Sequence, residues 1–385
     1  MMFRLIKSCL VSWLVAGLCY PAIAQDTVYA RHIIDTLTSE YFFGRGYANE
    51  GLEKAERFLR NEFVSAGLLP MAEGYFQEVS YPVNTFRGDM ELAVNGKKMS
   101  PGKDFIVIPS SRSLKGEFEM QPVDSGSFIN EKKKFRIRLA DKLTWSVANK
   151  SSDSTGIVLL RNSISEPPAS VKVSIQNKLV KKFRTNNVCG IVKGTRYPDS
   201  VILFTAHFDH LGGMGKNAFF PGANDNASGL SQLLGLARYY AKNPQPYTIG
   251  FIAFTGEEAG LKGSEYFTNH PLVPLSSIRF VINLDLTGTG AGGITVVNAT
   301  EFPEEFEILK SINDEHQFLA SINSRGKAKN SDHYWFTEKG VKAFFIYALG
   351  GVQAYHDVYD ISATLPNNKY ADLFHVLRIF VQRIQ

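Results

Sequence analysis

Cysteine is scarce, with three residues in a chain of 385. Two of them, Cys9 and Cys19, fall in the first twenty residues, so Cys189 stands alone in the rest of the chain. A single thiol forms neither an internal disulfide nor a thiolate metal site. Cys189 sits in the apolar run 188–192 and reads as a buried small hydrophobe, not a nucleophile. Charge of one sign is also lacking. Lys and Arg number 42 against 37 Asp and Glu, and the balance of +5 is diffuse. Clusters such as Lys132-Lys133-Lys134 are short and carry no interleaved aromatics, which argues against a nucleic-acid partner. Long apolar runs are missing after residue 23, so no stretch beyond that point is expected to span a membrane. What is present is enough apolar material, 44%, to bury a sizeable core.

The one long apolar run, residues 9–23, follows Arg4 and Lys7 and leads into Ala22-Ile23-Ala24. A basic start, a run too short to span, and small residues at the two positions read by a signal peptidase make residues 1–24 an export signal. Cleavage is expected after Ala24, giving a periplasmic or extracellular protein with no membrane span. A lipid anchor at Cys19 is disfavoured by the bulky Leu18 before it.

Residues 32–66 read as helical, with Leu52, Ala55, Phe58, Leu59, Phe63 and Ala66 at helical spacing and Gly67 as the stop. Residues 86–184 have a different texture, with short alternating runs, polar patches and Pro167-Pro168, and read as a small inserted β-rich module. The remainder, 25–85 and 185–385, forms the main domain. Within it, 201–205, 248–254, 279–284 and 343–347 are continuous apolar runs suited to strands buried on both faces. Helical patterns at 229–242, 263–268 and 304–316 alternate with them. The expected fold is α/β, a three-layer sandwich with a central, largely parallel mixed sheet plus the inserted module.

Residues able to carry chemistry fall just past these strands. His207 and Asp209 follow the first, Glu257 and Glu258 the second, Asp285 the third and His356 the last. Asp225 lies in the glycine-bounded loop 221–229, ahead of a helix. Open α/β sheets bind ligands beyond the carboxyl ends of their strands, so these residues should converge there. Each has an ordinary reading by itself: a satisfied histidine, a solvated Glu-Glu pair, a cap, an Asx turn. Together, two imidazoles and three carboxylates (His207, Asp225, Glu258, Asp285, His356) form a donor set for zinc, or for cobalt or manganese. Asp225 is the best candidate to bridge two ions, and Asp209 can accept the second ring N–H of His207 and fix its tautomer. His210 reads as structural. His333, in Ser331-Asp332-His333, could line the pocket, but no spacing makes it a ligand.

Four segments carry a family resemblance: Ala206-His207-Phe208-Asp209-His210-Leu211-Gly212, residues 221–229, residues 256–264, and Asn283-Leu284-Asp285. They resemble the secreted bacterial di-zinc aminopeptidases, in the superfamily that also holds glutamate carboxypeptidase, the transferrin receptor ectodomain and glutaminyl cyclase. The resemblance is strong over 186–385 and weak over about 30–80. It implies one zinc on His207 and Asp285, a second on Glu258 and His356, and Asp225 bridging. It also implies Glu257 as general base, Tyr355 at the substrate carbonyl, a cis peptide after Asp225, and a reduced protease-associated domain at 86–184. The implied activity is removal of N-terminal residues from peptides with a free amino end, through a metal-activated water. Two other readings of the same fold are one-zinc glutaminyl cyclase chemistry and a non-catalytic binding ectodomain. The cyclases normally lack both the 226–229 continuation and the Leu-Gly after the first motif. The retained ligands and base argue against the ectodomain.

Overall fold

A computed structural model describes residues 20–384, with side chains from residue 27 onward. The export segment, with Cys9 and Cys19, therefore lies outside the described residues, apart from the backbone of 20–24. Numbered in chain order within the main sheet, its nine strands are β1 (Leu69–Pro70), β2 (Phe76–Thr85), β3 (Lys178–Val192), β4 (Tyr197–His207), β5 (Tyr247–Phe254), β6 (Ile278–Leu284), β7 (Ile294–Val297), β8 (Ile322–Arg325) and β9 (Ala343–Ala348). They run in the order β1-β3-β5-β4-β6-β9-β7-β8, with β2 also on β3. The centre, β5-β4-β6-β9, is parallel. Antiparallel pairing begins where β3 meets β5 and where β7 meets β9.

The continuous apolar runs are explained by burial on both faces. Along β4, Ile202 and Phe204 pack into one core while Val201 and Leu203 pack into another. The first core is covered by α1 (Tyr20–Leu37), α2 (Gly51–Ala66), α3 (Gly229–Lys242), α5 (Pro303–His316) and α7 (Tyr370–Arg383); the second by α4 (Lys262–Asn269) and α6 (His333–Glu338). This is the expected three-layer α/β sandwich. Among the described residues no helix is long and apolar enough to cross a membrane.

The helix expected over 32–66 is broken. α1 ends at Leu37, a short turn follows, and α2 starts at Gly51. The interruption is steric and polar in origin. Gly46 packs so closely on the Gly212 backbone that a Cβ on it would lie 2.3 Å from the Gly212 Cα. Between Gly44 and Gly46 the chain turns Arg45 into the interior, where it is fully buried. α2 ends as expected at Gly67, which takes the left-handed conformation and returns its N–H to Phe63 and Val64 carbonyls.

Residues 86–175 form two small sheets. One has five strands, from Phe105–Val107 to Thr155–Leu160; the other has four, from Met90–Val94 to Ser170–Ile175. They share a core that includes Phe105, Phe135, Ile157 and Val171 and extends to Leu211, Met214 and Phe220 of the main domain. The range 86–184 ends inside β3, which runs unbroken from this module into the main sheet and pairs with β2 along most of its length.

Candidate active site

His207 closes β4, Glu257 and Glu258 follow β5, Asp285 follows β6 and His356 follows β9, so the parallel strands deliver all of them to one carboxyl edge. Asp225 enters from the loop before α3, across a cis peptide to Asn226, as the resemblance implied. Its two oxygens point to different partners. Oδ1 lies 3.4 Å from His207 Nε2, which is also 3.4 Å from Asp285 Oδ1. Oδ2 lies 3.0 Å from His356 Nε2, which is 3.3 Å from Glu258 Oε2.

The tautomers are legible from the other ring nitrogens. His207 Nδ1 donates to the Asp209 carbonyl at 3.0 Å, and His356 Nδ1 donates to the Trp145 carbonyl at 3.0 Å. In the neutral ring, each Nε2 then presents a lone pair to carboxylates, an arrangement that a cation between them would satisfy in place of a ring proton. Buried Asp285 Oδ1 has no hydrogen-bond partner. The donor set therefore fits zinc on each side of Asp225. Burial pushes His356 down, but Glu258 and Asp225 outweigh it and hold the imidazole up at about 11. His207 is likewise driven down by burial yet held well above its ordinary value by Asp285 and Glu257. Burial raises Glu257 well above the usual carboxylate range, His207 only partly offsetting it, which suits a group that must take up a proton and release it.

A third imidazole competes for the second position. His210 Nδ1 is 2.8 Å from Glu258 Oε1 and 3.9 Å from Asp225 Oδ1, close enough to complete a three-donor group. His356 is the better ligand, because one nitrogen reaches both carboxylates while its other is anchored. His210 has hydrogen-bond distance to Glu258 alone and acts as a donor that holds that carboxylate.

Asp209 departs from expectation. Its carbonyl, not its carboxylate, meets His207, and the nearer carboxylate oxygen is 3.8 Å from that ring. The carboxylate accepts the backbone N–H of Glu257 at 3.0 Å and of Glu258 at 3.2 Å, and the Tyr47 hydroxyl at 3.3 Å. The turn presents Glu257 and Glu258 as consecutive residues, and a buried carboxylate between their two amides fixes it. Burial lifts Asp209 to about 7. Tyr355 lies flat on His356 with ring centroids 4.0 Å apart and lines the cleft, 44% exposed. His333 is buried against Phe345 and takes no part in the donor set.

Several supports had escaped the sequence reading. Ser331 receives Asn283 Nδ2 and donates to Asp285 Oδ2 at 3.0 Å. Asp360 accepts the backbone N–H groups of Asn224 and Asp225, pinning the bridge loop. Arg45 donates to five carbonyls, those of Leu37, Phe208, Pro221, Gly222 and Asp225. Trp145, from the inserted module, also donates its own N–H to the His356 carbonyl at 2.9 Å, making the contact reciprocal. The cleft above the donors has a volume of about 460 Å³. A larger one of about 510 Å³ beside Glu56 and Arg57 holds no such donor set, so chemistry selects the site.

A three-layer α/β sheet with this donor set at its carboxyl edge has the architecture of a metal-dependent hydrolase. The chain belongs to peptidase family M28, whose sequence profile matches residues 187–381. It is 33% identical over 177 residues to aminopeptidase YwaD of Bacillus subtilis, covering 44% of this chain and 37% of that one. It is 29% identical over 206 residues to the vacuolar membrane protease of Candida dubliniensis, covering 52% of this chain and 20% of that one. The chain thus spans less than half the length of these relatives. Solved structures share the fold over nearly the whole chain. A zinc aminopeptidase from Bacillus subtilis superposes with TM-score 0.68 at 18% identity, covering 92% of this chain and 94% of that one. An aminopeptidase from Aneurinibacillus sp. strain AM-1 gives 0.67 at 16%, covering 93% of each.

Proposed function

We propose that this chain is an exported zinc aminopeptidase that removes N-terminal residues from peptides at a centre holding two ions. The observation that carries the reading is the division of Asp225, with Oδ1 turned to His207 and Asp285 and Oδ2 to His356 and Glu258. Two imidazole–carboxylate pairs on the two oxygens of one aspartate weigh against a one-zinc cyclase. Export rests on the pattern of residues 1–24.

His207, Asp225, Glu258, Asp285 and His356 would hold the zinc, which when bound would supply Lewis acidity and lower the pKa of water towards ~7. Glu257, buried with its pKa raised, accepts the proton of the attacking water. Asp209 holds its backbone so that the carboxyl stays over the cleft. The tetrahedral carbon then collapses, the C–N bond breaks, and Glu257 passes its proton to the leaving amine. Tyr355, which lines the cleft, would donate to the developing oxyanion. The substrate's free amino group sits beside Asp285, which fixes the cut at the first residue.

The test compares amino-acyl chromogenic substrates with their N-acetylated counterparts in the presence of zinc. Cleavage is expected only when the amine is free; equal turnover of both sets overturns the assignment.

A further inference from the structure

The charged lining of the cleft is anionic, with Asp225, Glu257, Glu258 and Asp285, except for the metal-facing histidines and one guanidinium, Arg325. Arg325 ends edge strand β8 and is exposed to solvent. Its Nη1 donates to the Tyr347 hydroxyl at 3.3 Å. The Tyr347 ring packs on Phe345 with centroids 5.3 Å apart, so the hydroxyl is a fixed anchor. The other cations of the same segment are engaged elsewhere. Lys327 pairs with Glu338 at 2.5 Å, and Lys329 lies over the rings of Tyr334 and Trp335 at 5.0 and 4.6 Å. Arg325 has no ion-pair partner among the described residues, and its planar fork keeps further N–H donors for a ligand.

We infer that Arg325 makes the cleft selective for peptides that carry a carboxylate near the scissile bond. This rests on the aminopeptidase reading and adds the substrate class to it. A guanidinium anchored by a neutral hydroxyl has no partner charge of its own to give up, and a carboxylate is its natural complement. The carboxylate has two sources, the side chain of the first residue or the C-terminus of a dipeptide, and both offer the same fork-matching group.

The experiment is steady-state kinetics of the zinc-loaded enzyme, wild type, Arg325→Gln and Arg325→Lys. Glutamyl, aspartyl, leucyl and lysyl chromogenic amides probe the side chain. Leucyl dipeptides with a free or an amidated C-terminus probe the other source. Because the contact is solvent-exposed, Arg325→Gln is expected to lower kcat/KM by about fivefold on the carboxylate-bearing member of one pair, mainly through KM. On leucyl-amide it should change by less than about threefold. Which pair responds identifies the source of the carboxylate. Equal loss on neutral and acidic substrates, or no loss on either, overturns the proposal while wild-type turnover of leucyl-amide leaves the aminopeptidase reading standing. A wild-type enzyme inactive on every free-amine substrate sinks both.

Discussion

Replacing Arg45 with methionine removes a guanidinium whose five N–H donors all reach carbonyls, at 2.7 to 3.2 Å. Those carbonyls belong to the end of α1, the residue after His207, and the loop that carries Asp225, so one side chain ties two segments of the candidate site to the scaffold. Burial already costs the charge something, lowering the Arg45 pKa to about 10 against the pull of Asp225 and Asp360. Methionine recovers that desolvation and some apolar packing but leaves five buried acceptors short of a donor. Breaking a buried charged network in this way costs ~3–5 kcal/mol. In a chain of this length each kcal/mol is worth ~1.3 °C, so the melting temperature should fall by ~4–7 °C. Arg45→Lys keeps the charge with three donors and should fall in between. Circular-dichroism melts with and without zinc measure both variants. A methionine variant that melts within ~1 °C of wild type and binds zinc normally would refute the argument.

Glu257→Gln should retain its metal and lose ~10²–10⁴-fold in kcat, measured by stopped assay alongside elemental analysis, because it removes a proton carrier and leaves the donor set intact. Zinc added to metal-free protein at pH 7 should release protons from His207 and His356, read by calorimetry in buffers of different ionisation enthalpy. The sign follows from the raised folded-state values. Their contribution to metal-free stability is full below the unfolded histidine value of ~6.5, and for His356 is lost as pH rises through about 11. Trp145→Ala removes the stack on Phe220 at 4.7 Å and the indole bond to Val107, loosening the carbonyl that orients His356; zinc affinity at one site should fall ~10–100-fold in chelator competition. Sequencing of secreted protein should start at or near Gln25, and a retained Met1 would contradict export.

The convergence of the candidate donor residues was legible because each member follows a buried strand or sits in a glycine-bounded loop, where strand order and the carboxyl-end rule place it. Glu257 and Glu258 are adjacent, and His207 and Asp209 are two apart, so the local pattern carried them. The supports had no such spacing. Arg45 and Asp360 act on backbone groups about 175 and 135 residues away, and no periodicity encodes that distance. The one signal for Arg45 was a charge between two glycines after Phe42-Phe43, the mark of a side chain forced inward. Asp209 was placed correctly but given the wrong bond, since spacing cannot tell a residue's carbonyl from its carboxylate. The break between α1 and α2 was missed because the periodic residues, Leu52 to Ala66, all lie in α2, while the interrupting contact, Gly46 on Gly212, comes from another part of the chain.

The most direct test of the whole account is zinc content by inductively coupled plasma mass spectrometry on purified, active protein, paired with His356→Ala. Two zinc ions per chain are expected in wild type and one in the variant, with activity lost on chelation and restored by zinc. Full activity in protein that holds no transition metal, or an unchanged zinc content in the variant, would contradict it.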